Sequence, residues 1–396
     1  MARTAMAKKR SPLPKKSAKL TTARGNRKVR LVNWLKENFQ AESIHFYRLA
    51  GLTGFLVVFG LVMVLSSSSI DSLVANRDAF YVFSRQSLYA VIGLTLMMVI
   101  SALNLARIQN LVKAALVLGF GLQLSIPFIG ISVNGNTNWI SIAGFTLQPS
   151  EFLKVALIMY IAWFVNNREH ELDDPKRVLM PILIVGAAAL ALVMYGRDLG
   201  TATIIALIVF GTVAIIGAPL KPLLQVGAGV AVLAAFATTS SASRMARITA
   251  WLNPGTASSE AFNWQYEHGT WALAAGGVFG VGLGNSKMKW SWIPEVENDF
   301  IFAVIGEELG LIGALVVIGI IALLISSLIT IMNRSASTFS RVLVVGVIVW
   351  LVSQSAVNIA VVLGVLPVLG VPLPLISAGG SVSYTHLRAH ETGRNL

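Results

Sequence analysis

Nine stretches of this chain are each apolar over the roughly 20 residues that a helix needs to cross a bilayer. They lie near 48–67, 82–102, 109–127, 149–166, 177–195, 199–217, 221–238, 300–332 and 341–364. No other feature narrows the fold as far. Lipid offers no partner to a bare N–H or C=O, so such runs must satisfy their backbone internally, as helices. The run from 300 to 332 is long enough to tilt or to project above the bilayer. Mean hydropathy of +0.72, with 55% hydrophobic and 12% charged residues, fits the same class. The expectation is an all-α polytopic membrane protein of about nine spans, with a large extracytoplasmic loop at 239–299 between spans seven and eight.

Charge sets the orientation. About thirteen of the 31 Lys and Arg residues fall before Leu49. Residues 1–45 read as a basic, disordered cytoplasmic tail, in which 29–39 suits a short amphipathic helix on the inner membrane surface. The arm lacks the aromatic interleaving of a nucleic-acid binder and the cleavage site of a signal peptide; next to a first span it reads as a positive-inside anchor. With the N-terminus inside, Arg107, the 166–177 segment, Lys221 and the Arg334–Arg341 turn are also inside. The pieces 128–148, 239–299 and the stretch from Leu366 then face outward. The absence of cysteine excludes disulfides, thiolate nucleophiles and Cys-based metal sites, and the five scattered histidines carry no zinc motif.

The unusual residues gather on the outward pieces. At 290–310 a polar loop turns into an apolar run, with Asp299 at the seam. A carboxylate there can cap the helix or face outward as a reacting group beside unpaired N–H donors. Glu307 and Glu308 follow about 12 Å farther along, where acids either pair with basic residues or serve function. Glu151 and Lys154 share a helix face, either as an ion pair inside the bundle or as the wall of a cleft for an anionic substrate. Asp198 either caps the next helix or joins Arg197 in holding phosphate. The large loop supplies Arg244, Arg247, Gln265 and Lys287. Its glycines, Gly282 and Gly284 among them, next to Asn285, either present N–H groups to a phosphate or allow close helix packing; Asn285 after Gly284 rules out a Walker A loop. Gln354 and Asn358 lie four apart on the ninth run. The Pro/Gly/Ser segment from Pro367 to Ser381, with Ser377 and Gly379, is tolerated at membrane depth only if protein buries it or it lines a cavity.

Five ordered motifs carry a resemblance: NG…NWI…G…QPSEFLK at 134–154, DLGTA at 198–202, WLNP…Q…GGVFGVGLGNS at 251–286, PE…NDFIFAVIGEELG at 294–310 and PLPLISAGGS at 372–381. Together they resemble the SEDS family (shape, elongation, division and sporulation) of peptidoglycan polymerases over residues 46–381. The last motif and the basic arm are most like its cell-division branch, of an actinobacterial type; the elongation branch is the near alternative. The resemblance implies a ten-helix bundle in the bacterial cytoplasmic membrane with both ends inside. It implies lipid II as substrate, polymerised into glycan strands on the outer face, and Asp299 as the essential acid. It also implies a class B penicillin-binding protein and other divisome proteins as partners, and magnesium or another divalent cation at the pyrophosphate. Two departures stand out. Asn136, Thr137 and Asn138 occupy positions where the family often has a basic residue. No tenth apolar run follows Ser381, and 382–396 reads as a non-native tail, so the expectation is a chain cut short of its last helix. With Asp299 as base, the cations Lys154, Arg197, Arg244, Arg247 and Lys287 would serve the pyrophosphate. A lipid II flippase and a non-catalytic division scaffold are the competing classes.

Overall fold

The computed structural model describes residues 44–379, apart from short breaks at 77, 102, 134–135, 143–144, 172–173, 175, 240–241, 254–259, 288 and 291–295. The basic arm with its expected 29–39 helix, and the tail beyond 379, lie outside the described residues. Each of the nine apolar runs is a helix: α1 (Ile44–Asn76), α2 (Tyr81–Ser101), α3 (Leu105–Ile129), α4 (Pro149–Asn166), α5 (Leu179–Tyr195), α6 (Leu199–Ile215), α7 (Leu220–Thr239), and then α10 (Ile301–Arg334) and α11 (Thr338–Val362). Five of them, α1, α2, α3, α10 and α11, are long and apolar enough to cross a membrane by length and composition.

The pieces between the runs have more structure than a loop reading allows. Residues 130–147 form a small antiparallel sheet of β1 (Gly130–Val133), β2 (Asn136–Ile142) and β3 (Phe145–Leu147), in that order, with Val133 opposite Asn136 and Ile142 opposite Phe145. The architecture is therefore helical with one small sheet, which hydropathy gave no hint of. Thr137 of β2 donates its N–H to Gly196 O at 3.0 Å, fixing the sheet on the α5–α6 turn. The large loop holds two helices, α8 (Ala242–Leu252) and α9 (Glu260–Gly276). Trp251 of α8 donates from Nε1 to Gly364 O at 3.0 Å, just past the end of α11.

Two cores organise the bundle. One joins α4, α5 and α6 around Leu153, Leu157, Ile161, Ile182 and Ile205. The other joins α1, the start of α10 and the segment after α11 around Leu56, Met63, Phe300–Ile305 and Ile376. That segment, 363–379, has no regular secondary structure. It is nevertheless buried at Val371, Leu373, Ile376 and Ala378, as irregular backbone in a membrane protein must be. Gly60 of α1 makes room for it: a Cβ there would lie 2.7 Å from Ile376 Cα and 2.7 Å from Ile376 O. Leu375 next to that contact has φ +65°, a conformation costing a bulky residue about 1–2 kcal/mol. The turn is held in place by what surrounds it.

Candidate functional site

The irregular segment collects side chains from most of the bundle, and Asp299 lies against it. Three successive carbonyls before α10 are bonded across. Ala378 N–H donates to Glu297 O at 3.0 Å. Ser377 Oγ donates to Asn298 O at 2.5 Å and accepts from Leu373 N at 2.8 Å. Asn358 Nδ2 donates both to Asp299 O at 2.8 Å and to Val371 O at 2.7 Å. The backbone under Asp299 is thus fixed while its side chain is half-buried. A Cβ at Gly370 would stand 3.6 Å from Asp299 Oδ2, so the carboxylate rests on a glycine. The N-cap of α10 falls on Phe300, with no side-chain cap bond from that residue. Asp299 therefore sits one residue before the cap position. Asn358→Leu keeps size and removes both bonds; it is expected to cost about 2 kcal/mol or more in stability, checked by thermal unfolding in detergent beside circular dichroism. Two buried carbonyls left unpaired at roughly 1–3 kcal/mol each carry that estimate.

A second arm reaches the same segment. Lys154 of α4 is 2% exposed and pairs with Glu151 at 2.8 Å. Its Nζ also donates to Gln354 Oε1 at 3.0 Å and lies 4.9 Å from the Trp350 ring centre. Gln354 Nε2 passes on to Pro372 O at 2.9 Å. This is the intrahelical ion pair, with the ammonium turned into the bundle and not presented on an open wall. The partners differ in burial, so their removal is asymmetric. Glu151→Ala strands a buried ammonium and is expected to cost about 3 kcal/mol. Lys154→Met leaves a carboxylate that is 37% exposed and can turn to solvent, and should cost clearly less. Thermal unfolding of the two variants in one detergent compares them.

A third arm is Asp198, 6% exposed. It caps α6: Thr201 N donates to Oδ1 at 2.9 Å and Thr201 Oγ1 to Oδ2 at 2.8 Å. Asn138 of β2 and Gln148 also donate to Oδ2, at 2.8 and 3.0 Å. The capping alternative describes this carboxylate, and its acceptor sites are spent within the protein. Arg197, beside it, is exposed with φ +64°. Asp198→Ala removes a cap and two long-range acceptors, and is expected to cost about 2 kcal/mol in thermal stability. Asn138 and Gln148 were not foreseen as partners; they lie 60 and 50 residues away in sequence.

The glycine-rich loop is bonded to a break in α10. Helix α10 is broken at Gly310, which has φ +69° and ψ −169°. The bonds lost there are made to the loop: Val281 N to Glu307 O at 2.9 Å, Gly282 N to Glu308 O at 3.0 Å, Leu311 N to Gly277 O at 2.9 Å and Ile312 N to Val278 O at 3.2 Å. The Gly282 N–H is occupied, and Gly276, Gly280 and Gly310 let the two backbones touch. Asn285 N turns back to Gly282 O at 3.2 Å, and the Gly284 carbonyl accepts from Lys289 Nζ. Close packing against α10 accounts for Gly276, Gly280 and Gly310. Glu307 and Glu308, both 1% exposed, fasten the same joint. Glu307 accepts from Ser286 Oγ at 2.5 Å and Lys287 N at 2.9 Å. Glu308 accepts from Ser66 Oγ of α1 at 2.6 Å and Ser286 N at 3.3 Å. Their partners are hydroxyls and amides, and no ion pair to them occurs among the described residues. Of the two alternatives for these acids, pairing with basic residues is not found among the described residues. Leu311 to Arg334 make about 24 residues, roughly 36 Å of helix, enough by length to cross a bilayer without the first two turns.

Of the remaining candidates, Arg247 lies half-buried on α8 and Gln265 half-buried on α9. The side chain of Arg244 lies outside the described residues. Lys287 is exposed. Gly379 N–H donates to Gln86 Oε1 of α2 at 3.2 Å. No group of three or more acidic or imidazole side chains suited to a metal occurs among the described residues.

Comparison with known proteins gives consistent matches. A family model described as a cell cycle protein of the FtsW, RodA and SpoVE group matches residues 47–390. A probable peptidoglycan glycosyltransferase FtsW of Mycobacterium tuberculosis is 36% identical over 338 residues, 85% of this chain and 64% of that protein. The chain thus spans just under two thirds of the mycobacterial relative's length. One from Trichlorobacter lovleyi is 34% identical over 82% of this chain and 86% of its own. Stage V sporulation protein E of Bacillus subtilis is 33% identical over 83% and 90%. Among solved structures, a chain from work described as structural coordination of polymerization and crosslinking by a peptidoglycan synthase complex matches with TM-score 0.70. Its identity is 24%, over 87% of this chain and 95% of that one. Thermus thermophilus RodA matches at TM-score 0.59 and 24% identity, over 85% and 91%. These two likenesses concern the fold.

Proposed function

Because the chain belongs to the FtsW, RodA and SpoVE family and is a multi-pass membrane protein, we propose that it polymerises lipid II into peptidoglycan glycan strands, with Asp299 as general base. The observation that carries this reading is the fixed backbone and half-buried carboxylate at Asp299, outside the cap of α10. The acceptor 4-hydroxyl of a GlcNAc attacks C1 of the donor sugar. Its proton passes to the Asp299 carboxylate. The C1–O bond to undecaprenyl pyrophosphate breaks, and the electron pair leaves with the pyrophosphate. Attack opposite the leaving group inverts the anomeric centre. The leaving group needs no strong acid, so one carboxylate suffices, unlike the pair used in glycoside hydrolysis.

Exposed or half-exposed cations of the same side, Arg197, Arg247 and Lys287, are the residues assigned to the pyrophosphate; Arg244 belongs with them by sequence. Lys154 acts through Gln354 by holding the segment on which Asp299 rests, and Asp198 by fixing the start of α6 to β2 and Gln148. A divalent cation would take most of its ligands from the pyrophosphate, since no protein cage is formed among the described residues; no step is assigned to it. The same reading places the protein in the bacterial cytoplasmic membrane, N-terminus inside and Asp299 outside, in the division machinery beside a class B penicillin-binding protein. The test uses the protein in vesicles supplied with fluorescent lipid II. A ladder of glycan chains is expected. Intact lipid that has only changed leaflet would make it a flippase, and neither product would make it a scaffold.

A further inference from the structure

The loop from Gly277 to Ser286 turns its backbone inward and part of its side chains outward. Its peptide groups are spent on the break in α10. Phe279, by contrast, is 82% exposed and Leu283 58% exposed. Two large apolar side chains standing out from a loop are unfavourable in water, and a glycine-rich loop needs neither for its own backbone bonding. What covers them follows from where the loop is bonded. It accepts the N–H groups of Leu311 and Ile312, whose side chains are exposed. Leu315 and Val316 continue that apolar surface one turn on, on the same helix face. This is an exposed face of a helix long and apolar enough to cross a membrane, the kind of face for which lipid is the solvent. Phe279 is therefore level with the first turn of that exposed apolar surface. Lys287 and Trp290 follow, both exposed. A cation on a long stem and an indole are the groups that the headgroup region takes.

We propose that this loop is a bilayer-seated wedge. Phe279 and Leu283 enter the acyl region beside Leu311 and Ile312, with Lys287 and Trp290 at headgroup level. The occupant is lipid; a second copy of the chain or another protein is excluded by the proposal.

The chain contains no cysteine, so a single introduced thiol reports one place. Phe279→Cys and, separately, Leu283→Cys carry an environment-sensitive fluorophore in the whole protein reconstituted in phosphatidylglycerol–phosphatidylethanolamine vesicles. Leu315→Cys and Ala336→Cys serve as lipid and aqueous references. Blue-shifted emission at both loop sites is expected. Loss of that emission to lipids with a shallow nitroxide, and resistance to aqueous iodide, are also expected. Quenching by iodide at either site overturns the proposal, because the loop then stands in water. Protection from both quenchers overturns it too, because protein then covers the loop. Two sites are used so that a folding failure at one leaves the other readable. None of these readouts needs substrate, so they stand apart from the fate of the polymerase reading.

Discussion

Asp299→Asn is expected to remove glycan synthesis almost entirely, by a factor of 10²–10⁴, the range a positioned general base supplies. Stability should hardly change. The amide fits the same space above Gly370, and the three bonds that fix this stretch fall on backbone carbonyls, which the substitution keeps. Had the carboxylate been a helix cap, Asn would have replaced it at little cost. The variant therefore separates chemistry from capping through two numbers taken together: polymerisation rate with lipid II, and unfolding temperature in detergent. A rate near wild type would end the base assignment. A large fall in both would mean that the side chain holds the fold and that the rate says nothing about proton transfer.

Gly310→Ala is expected to be strongly destabilising, at about 3 kcal/mol or more. Two costs add. The backbone at φ +69° and ψ −169° is a region essentially limited to glycine, and forcing another residue there costs of order 1–3 kcal/mol. A Cβ would also press on Gly280 N and Val278 O, which are backbone and cannot rotate away. Relief requires parting the loop from the helix and giving up four hydrogen bonds, each about 1 kcal/mol net. Gly277→Ala is the control. It also has positive φ, at +53°, but a Cβ there meets nothing within 4 Å; about 1 kcal/mol is expected from conformation alone. Thermal unfolding ranks the two, and proteolysis between 277 and 287 should accelerate only in the Gly310 variant. Equal behaviour would show that the joint contributes little.

Hydropathy located all nine long runs because lipid imposes one rule on every residue of a crossing helix. The irregular segment was legible over 367–379 as backbone that must be buried or line a cavity, from its Pro and Gly residues, and it is buried at Val371, Leu373, Ile376 and Ala378. The partners of that segment were legible only as types: Gln354 and Asn358 share a helix face, but nothing local says which carbonyls they meet. The sheet at 130–147 left a faint signal, an Asn-Gly dipeptide between Val133 and Asn136, which outweighed hydropathy only in hindsight. For the glycine-rich loop, close packing was one of two open readings, but its partner was not legible. It depends on one unusual ψ at Gly310, some thirty residues downstream, and no spacing rule connects the two. For the same reason no spacing pointed to the partners of Glu307 and Glu308, which include the hydroxyls of Ser66 and Ser286.

The interrupted α10 also says something about how the molecule is made. Its long second part can enter the lipid as soon as it leaves the insertion machinery, since its hydrogen bonds are its own. Its first part cannot be completed by that event. It must wait for a loop already translated to fold back on it, and for α1, inserted much earlier, to supply Ser66. Assembly of the acid-bearing end is thus a late, tertiary event, and a newly inserted chain passes through a stage at which the long part of α10 is formed and its joint with the loop and α1 is not.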